Sequence, residues 1–88
     1  MGAFDLHSVV VDGPPCVGEA RRTAAGAALA LGLTPRAVEE AAIIATELAT
    51  NLARHTTAGG VLHVQHALQN GRPGLELVAA DSGPGITH

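Results

Sequence analysis

The segment from Ala45 to His55, ATELATNLARH, decides how the rest of the chain is organised. In an α-helix, this segment places Glu47, Asn51 and His55 at successive i, i+4 steps. Arg54 completes the group, because Glu47, Asn51 and Arg54 fall within roughly 60° of one another around the helix axis. One stripe of the predicted helix therefore carries a carboxylate, an amide and a guanidinium, which are groups able to bind a ligand.

The apolar stripe of the same helix lies roughly 120° away and is expected to face a core. It consists of Val38, Ala41, Ala45, Leu48 and Leu52. The helix is predicted to begin at Pro35, with Thr34 as its N-cap, and to end near His55, before the sequence TTAGG. One side of this helix thus stabilises the fold, and the adjacent side is available for a ligand.

Four further segments complete a predicted order of β-α-α-β-β. A first strand is expected from Phe4 to Val11, because its β-branched run VVV is stopped by DGPP. A first helix is expected from Pro15 to Leu31, with Gly32 at its C-terminal end. Two strands, Val61 to Gln69 and Leu75 to Ala80, are expected to pair around the turn NGRPG.

The apolar residues of these segments predict how the elements pack. One face of the hairpin carries Leu62, Val64, Leu68, Leu75 and Leu77. One side of the first helix carries Val17, Ala20, Ala24, Ala27, Ala28 and Leu31. Because both helices and the hairpin have one apolar side, the fold class is predicted to be α+β, with two helices on one face of a mixed or antiparallel sheet.

Composition and charge narrow the classes of function. The 88 residues form at most one domain, with 47% apolar residues but a single Phe and no Trp or Tyr. The net charge of −3 and the lack of a basic, aromatic surface argue against a nucleic-acid partner. The longest apolar run, Ala24 to Leu33, is about half of the roughly 20 residues that a membrane span needs. With a lone cysteine, Cys16, the chain is expected to be cytoplasmic.

A second motif, Asp81 to Ile86 (DSGPGI), directly follows the last predicted strand. An Asp at a strand end can accept a hydrogen bond from an exocyclic amine, and Gly83 and Gly85 permit a close approach of the backbone. By itself this pattern is also an ordinary loop, and exposed Glu and Asn side chains are ordinary on a helix surface. His55 has two interpretations, since it could border a pocket or interact favourably with the helix dipole.

Taken together, the two motifs resemble those of the GHKL ATPase superfamily, the Bergerat fold shared by histidine kinases and gyrase-type ATPases. Glu47-x-x-x-Asn51 looks like the N-box of that superfamily, and Asp81-x-Gly83-x-Gly85-Ile86 looks like its first glycine box. The order of TELATNLARH, a hairpin and DSGPGI is most similar to the bacterial serine-kinase branch. That branch contains anti-sigma and switch kinases and the related ATP-binding domains of sporulation-type phosphatases.

The resemblance implies ATP and Mg²⁺ as ligands and a role for each matched residue. Asn51 would coordinate Mg²⁺, and Glu47 would act as the general base or orient the attacking group. Arg54 would contact phosphate, with His55 at the border of the pocket. The adenine side of the pocket would be formed by Asp81, which would bind the adenine amine, and by Gly83, Gly85 and Ile86.

The resemblance also implies a fold and an activity. Residues 1–88 would form the front part of a Bergerat-type α/β sandwich, ending before the ATP lid and the second glycine box. The implied activity is that of a serine/threonine protein kinase that phosphorylates a small antagonist protein in an anti-sigma partner-switching system. The alternatives are a non-catalytic ATP-binding regulatory domain of a sporulation-type serine phosphatase, or an inactive remnant.

The same resemblance sets expectations for the chain in isolation. Because the elements that cover the phosphates are expected to be missing, nucleotide binding should be weak and no kinase activity is expected. The return strand is expected to form an uncovered edge, which invites pairing with another chain. A homodimer is therefore one possible assembly, beside a protein partner and ATP.

Overall fold

The computed structural model describes residues 6–55 and 59–81. In chain order the elements are β1 (Leu6–Val11), α1 (Cys16–Ala30), α2 (Pro35–His55), β2 (Gly60–Gln69) and β3 (Arg72–Asp81). The strands form an antiparallel sheet in the order β1-β2-β3, and both helices pack against it. The predicted α+β class and the β-α-α-β-β order are confirmed. Phe4 and Asp5, the first two residues of the predicted first strand, lie outside the described residues.

The predicted start of the return strand is wrong. The strand β3 begins at Arg72, not Leu75, because the turn is a two-residue loop of Asn70 and Gly71. Both residues have positive φ, 55° and 77°, as a type I′ hairpin turn requires. Pro73 is tolerated inside β3 because this strand lies at the edge of the described sheet, where a missing N–H can face outward.

Two local signals position the helices side by side. The helix α1 ends in a Schellman motif, in which Gly32 has a φ of 75° and the N–H of Leu33 donates to the carbonyl of Ala28 over 3.1 Å. The helix α2 begins at its predicted cap, where the N–H of Ala37 donates to the hydroxyl oxygen of Thr34 over 3.1 Å. The short connection between these ends turns the chain back, so the two helices cover the same face of the sheet.

The core lies between the helices and one face of the sheet and is built largely from small side chains. Its largest fully buried members are Leu62, Val11 and Val64. The remaining buried members are Val9, Ala20, Ala24, Ala27, Ala28, Ala41, Ala45, Ala49 and Leu52. Val38, Leu48, Leu75 and Leu77 are partly buried at its margin, as the predicted stripes require.

The prediction that Leu68 belongs to the core is wrong. Leu68 shares the strand face of Leu62 by alternation, yet its side chain is 64% exposed. Alternation along a strand gives the face on which a side chain lies, but not whether another element covers it. Leu31, also expected inside, is half-buried because it is the cap residue of α1.

We expect Gly60→Ala to lower the free energy of unfolding by about 1–3 kcal/mol, the usual cost of overpacking. A Cβ at Gly60 would lie 2.5 Å from the carbonyl oxygen of Ala80 and 2.6 Å from Cδ2 of Leu52. The first of these contacts is with backbone, which cannot move without disturbing the β2–β3 pairing. Urea denaturation followed by circular dichroism measures the effect.

Gly26→Ala is the matched control for this substitution. Gly26 lies within α1, and a Cβ there would meet nothing within 4 Å. Since glycine is unfavourable inside a helix, the substitution is expected to raise the free energy of unfolding by about 0.5–1 kcal/mol. If Gly60→Ala left the free energy of unfolding unchanged or raised it, as expected for Gly26→Ala, the tight packing at Gly60 would be refuted.

Candidate functional site

The C-terminal end of α2 and the end of β3 meet at Gly60. The Cβ position of Gly60 is within 2.6 Å of both the Leu52 side chain and the Ala80 carbonyl oxygen. Asn51 precedes Leu52 on α2, and Asp81 follows Ala80 on β3. The two residues that carry the separate sequence motifs therefore flank the same point of the sheet.

The direction of the Asp81 side chain follows from the strand register. Asp81 is paired with Gly60, and Leu77 with the buried Val64. Because side chains alternate along a strand, Asp81 points to the same face as Leu77, which is the face that α2 covers. Asp81 is exposed, so this carboxylate lies on the helix side of the sheet and at its accessible end.

Of the three polar residues Glu47, Asn51 and Arg54 on α2, Asn51 points most nearly toward β3. Ile44 marks the flank of α2 that faces β3, since it lines a groove with Leu75 and Leu77. Asn51 lies seven residues later, roughly 20° from Ile44 around the axis and about 10 Å along it. Its exposed amide therefore continues that flank toward the Asp81 end of β3.

Glu47 and Arg54 occupy the outer side of the same stripe. By helix geometry they are turned roughly 60° and 80° from Ile44, toward solvent, and both are exposed. Glu47 can therefore accept a proton from a group arriving from solvent, and Arg54 can donate to an anion there. The side chain of His55 and all of Gly83, Gly85 and Ile86 lie outside what the structure describes.

The metal-binding capacity of this end of the sheet rests on Asn51, which offers one exposed amide oxygen. Among residues 6–55 and 59–81, no three His, Cys, Asp or Glu side chains are grouped as a metal site would be. Magnesium bound with a nucleotide keeps several waters and takes one or two protein oxygens in addition to the phosphates. A single exposed amide oxygen, from Asn51, matches that requirement.

Asp12 is a carboxylate near this end of the sheet that the sequence did not single out. Asp12 directly follows Val11, and Val11 is paired with Gly60 in the sheet. The thiol of Cys16 donates to Oδ1 of Asp12 over 3.2 Å, and a Cβ at Gly59 would lie 3.0 Å from the Cα of Asp12. Asp12 thus connects the end of β1 to the start of α1, which is a structural role.

An apolar groove lies between α2 and β3, toward their N-terminal ends, and has a volume of about 300 Å³. We call it the α2–β3 groove. Its lining residues are Leu33, Ala37, Glu40, Ala41, Ile44, Pro73, Gly74, Leu75 and Leu77. The groove is separate from the Asn51–Asp81 end, and its apolar lining does not suit a phosphate group. The sequence analysis did not predict this groove.

Comparisons with models of known protein families, with curated proteins and with solved structures each find no match to this chain. The resemblance to the GHKL superfamily therefore stays a prediction supported by its two motifs. Within the part of the chain that the structure describes, neither helix combines the length and apolar character needed to cross a bilayer.

Proposed function

We propose that this chain is the nucleotide-binding part of a cytoplasmic GHKL-type serine/threonine protein kinase of an anti-sigma partner-switching system. The observation that supports it most is the convergence at Gly60 of the α2 end carrying Asn51 and the β3 end carrying Asp81. Two motifs that are far apart in the sequence need to converge if they bind one nucleotide. Their convergence on the same face of the sheet is what this function requires.

Each residue of the site has a distinct task in the proposed function. The carboxylate of Asp81 accepts a hydrogen bond from the amine of adenine, and the amide oxygen of Asn51 binds Mg²⁺. Arg54, on the outer side of α2, donates to phosphate oxygens. Bound MgATP supplies an electrophilic γ-phosphoryl group whose charge the metal ion offsets.

Glu47 would act on the phosphate-accepting partner protein. It lies outward of Asn51 on α2 and is exposed, so a serine or threonine hydroxyl can approach it from solvent. Its carboxylate accepts the proton of that hydroxyl as the oxygen becomes a nucleophile. The partner in this proposal is a small antagonist protein of the anti-sigma system.

A non-catalytic ATP-binding regulatory domain is the second candidate. It is favoured by the surroundings of Glu47, since no side chain among the described residues holds this carboxylate by a hydrogen bond or an ion pair. A general base is usually oriented by a partner, whereas a binding domain has no such need. Phosphoserine on an antagonist protein incubated with the chain and MgATP would favour the kinase, whereas ATP binding without transfer agrees with both candidates, because no kinase activity is expected of this chain in isolation.

Asn51→Ala is expected to remove the effect of Mg²⁺ on ATP binding. If the amide oxygen is a ligand, the wild-type chain should bind ATP more tightly with Mg²⁺ than with EDTA, by about tenfold, the effect of roughly 1.4 kcal/mol. The variant should bind equally in the two conditions. Isothermal titration calorimetry measures both affinities.

Gln69→Ala is the control, because it also removes an exposed amide but lies at the turn end of the hairpin. It should retain the full Mg²⁺ dependence. If Asn51→Ala also retained it, Asn51 would not be the magnesium ligand.

A further inference from the structure

Gly60, the first residue of β2, occupies a space that is too small for a side chain. A Cβ at this position would lie 2.5 Å from the carbonyl oxygen of Ala80 in β3 and 2.6 Å from Cδ2 of Leu52 in α2. Non-bonded carbon atoms in contact are about 3.5–4.0 Å apart, so a side chain here would overlap both groups. The elements α2 and β3 can approach this point because residue 60 is glycine.

The backbone conformation of Gly60 does not explain why this residue is glycine. Among the described residues, the glycines with positive φ are Gly32, Gly59 and Gly71, and Gly60 is not one of them. Gly60 lies in the antiparallel ladder of β2 and β3, where it is paired with Asp81. Residues with a side chain adopt strand conformations readily, so the lack of space is what excludes them from position 60.

The two groups that crowd Gly60 are directly next to the proposed ligand-binding residues. Leu52 follows Asn51 in α2. Ala80 precedes Asp81 in β3. Leu52 is only 6% exposed and belongs to the core, so its position is fixed by packing. A shift of either group away from Gly60 would therefore move the adjacent binding residue as well, since close-packed elements transmit strain.

The adjacent glycine, Gly59, has different surroundings. A Cβ at Gly59 would lie 2.6 Å from the carbonyl oxygen of Val11 and 3.0 Å from the Cα of Asp12, both at the end of β1. Gly59 also has a φ of 75°, which favours glycine for conformational reasons. Gly59 thus fits the chain against β1, whereas Gly60 contacts the two elements that carry the candidate site.

We propose that Gly60 is a positioning residue of the nucleotide site, whose missing side chain sets the distance between Asn51 and Asp81 so that one ATP contacts both. This inference rests on the proposed function, in which Asp81 binds adenine and Asn51 binds the Mg²⁺ on the phosphates. Restoring normal contact distances around an added Cβ would open the site by about 1 Å. That displacement exceeds the tolerance of about 0.5 Å within which the groups of a binding site must be held.

Adenosine and MgATP together distinguish a change of distance from a loss of stability. Adenosine lacks phosphates, so in this proposal it contacts Asp81 but not Asn51. A wider gap leaves that single contact intact and weakens only the ligand that must reach both residues. Partial unfolding instead lowers the apparent affinity for both ligands by the same factor, because only the folded chain binds them.

NMR titrations of the ¹⁵N-labelled wild type and Gly60→Ala with MgATP and with adenosine test the inference, at a temperature where circular dichroism shows both chains to be folded. We expect Gly60→Ala to raise the dissociation constant of MgATP by about tenfold or more, and that of adenosine by no more than about twofold. Val64→Ala is the control, because Val64 is a fully buried residue of the same strand that does not lie between Leu52 and Ala80. It should leave the ratio of the two dissociation constants unchanged.

A second substitution, at Leu52, tests the same contact and serves if Gly60→Ala does not fold. In the double variant Leu52→Ala/Gly60→Ala, the contact with Cδ2 of Leu52 is removed and the contact with the Ala80 carbonyl oxygen remains. Its ratio of the MgATP to the adenosine dissociation constant should therefore be lower than that of Gly60→Ala. The ratio should still be higher than that of Leu52→Ala alone.

Failure of this inference and failure of the proposed function give different results. Equal effects of Gly60→Ala on the two ligands, or no effect on either, would overturn the role of Gly60 and leave the nucleotide site in place. The same ratio in Leu52→Ala and in the double variant would overturn it as well. A wild-type chain that does not bind MgATP would instead refute the proposed function.

Discussion

Replacing Leu62 with alanine is expected to lower the free energy of unfolding by about 2–5 kcal/mol, the range for a large-to-small change in a core. Leu62 is fully buried and is the largest such side chain of the core. The buried core is mostly alanine, whose side chains cannot turn to fill a cavity. Globular proteins have a free energy of unfolding of about 0.05–0.15 kcal/mol per residue. The expected loss is therefore a large share of the stability of so short a chain.

Leu68→Ala is the matched control on the same strand and the same strand face. Because Leu68 is 64% exposed, its truncation should change the free energy of unfolding by no more than about 0.5 kcal/mol. Urea denaturation of both variants gives the comparison. Similar losses at the two positions would mean that the turn end of the hairpin is covered in solution, contrary to the fold described above.

Asp81→Asn is expected to weaken ATP binding by about tenfold or more, as the loss of a hydrogen bond to a charged group predicts. A carboxylate acts only as a hydrogen-bond acceptor, whereas the replacement amide must direct its oxygen, and not its NH₂ group, toward the adenine amine. The wild-type chain should also prefer ATP to GTP, because guanine presents a carbonyl where adenine presents its amine. Calorimetric titration of both nucleotides into both proteins measures these differences.

Glu76→Gln makes the same change of acid to amide on the opposite face of β3. It should leave the affinity for ATP unchanged. Equal ATP affinity in the wild type and Asp81→Asn would remove Asp81 from the adenine site. Equal losses in Asp81→Asn and Glu76→Gln would instead point to a general effect of the net charge.

The local signals of the sequence predicted the elements well. Thr34 and Gly32 mark helix ends that the structure confirms through the N-cap bond and the positive φ. The start of β3 was mistaken because Pro73 and Gly74 favour a turn locally, and only the position of β3 at the sheet edge makes them compatible with a strand. The exposure of Leu68 also depends on tertiary structure, because strand alternation gives its face of the sheet but not what covers it.

The candidate site shows the same division between local and tertiary information. The helix period placed Glu47, Asn51 and Arg54 on one stripe, and the strand period gives the direction of Asp81 once the structure shows that β3 includes this residue. Neither period gives the lateral offset between α2 and β3. That offset makes Gly60 the point where the two motifs meet and leaves the α2–β3 groove open beside Ile44. Both features had to be found in the folded structure.

The central claim is that Asn51 and Asp81 form one nucleotide site, and an NMR titration of the ¹⁵N-labelled chain with MgATP tests it most directly. Chemical-shift mapping detects weak binding and identifies the amides affected. We predict that the largest shift changes occur at Asn51, Leu52, Gly60 and Asp81. No change on adding MgATP, or changes confined to the α2–β3 groove around Ile44, would contradict the account.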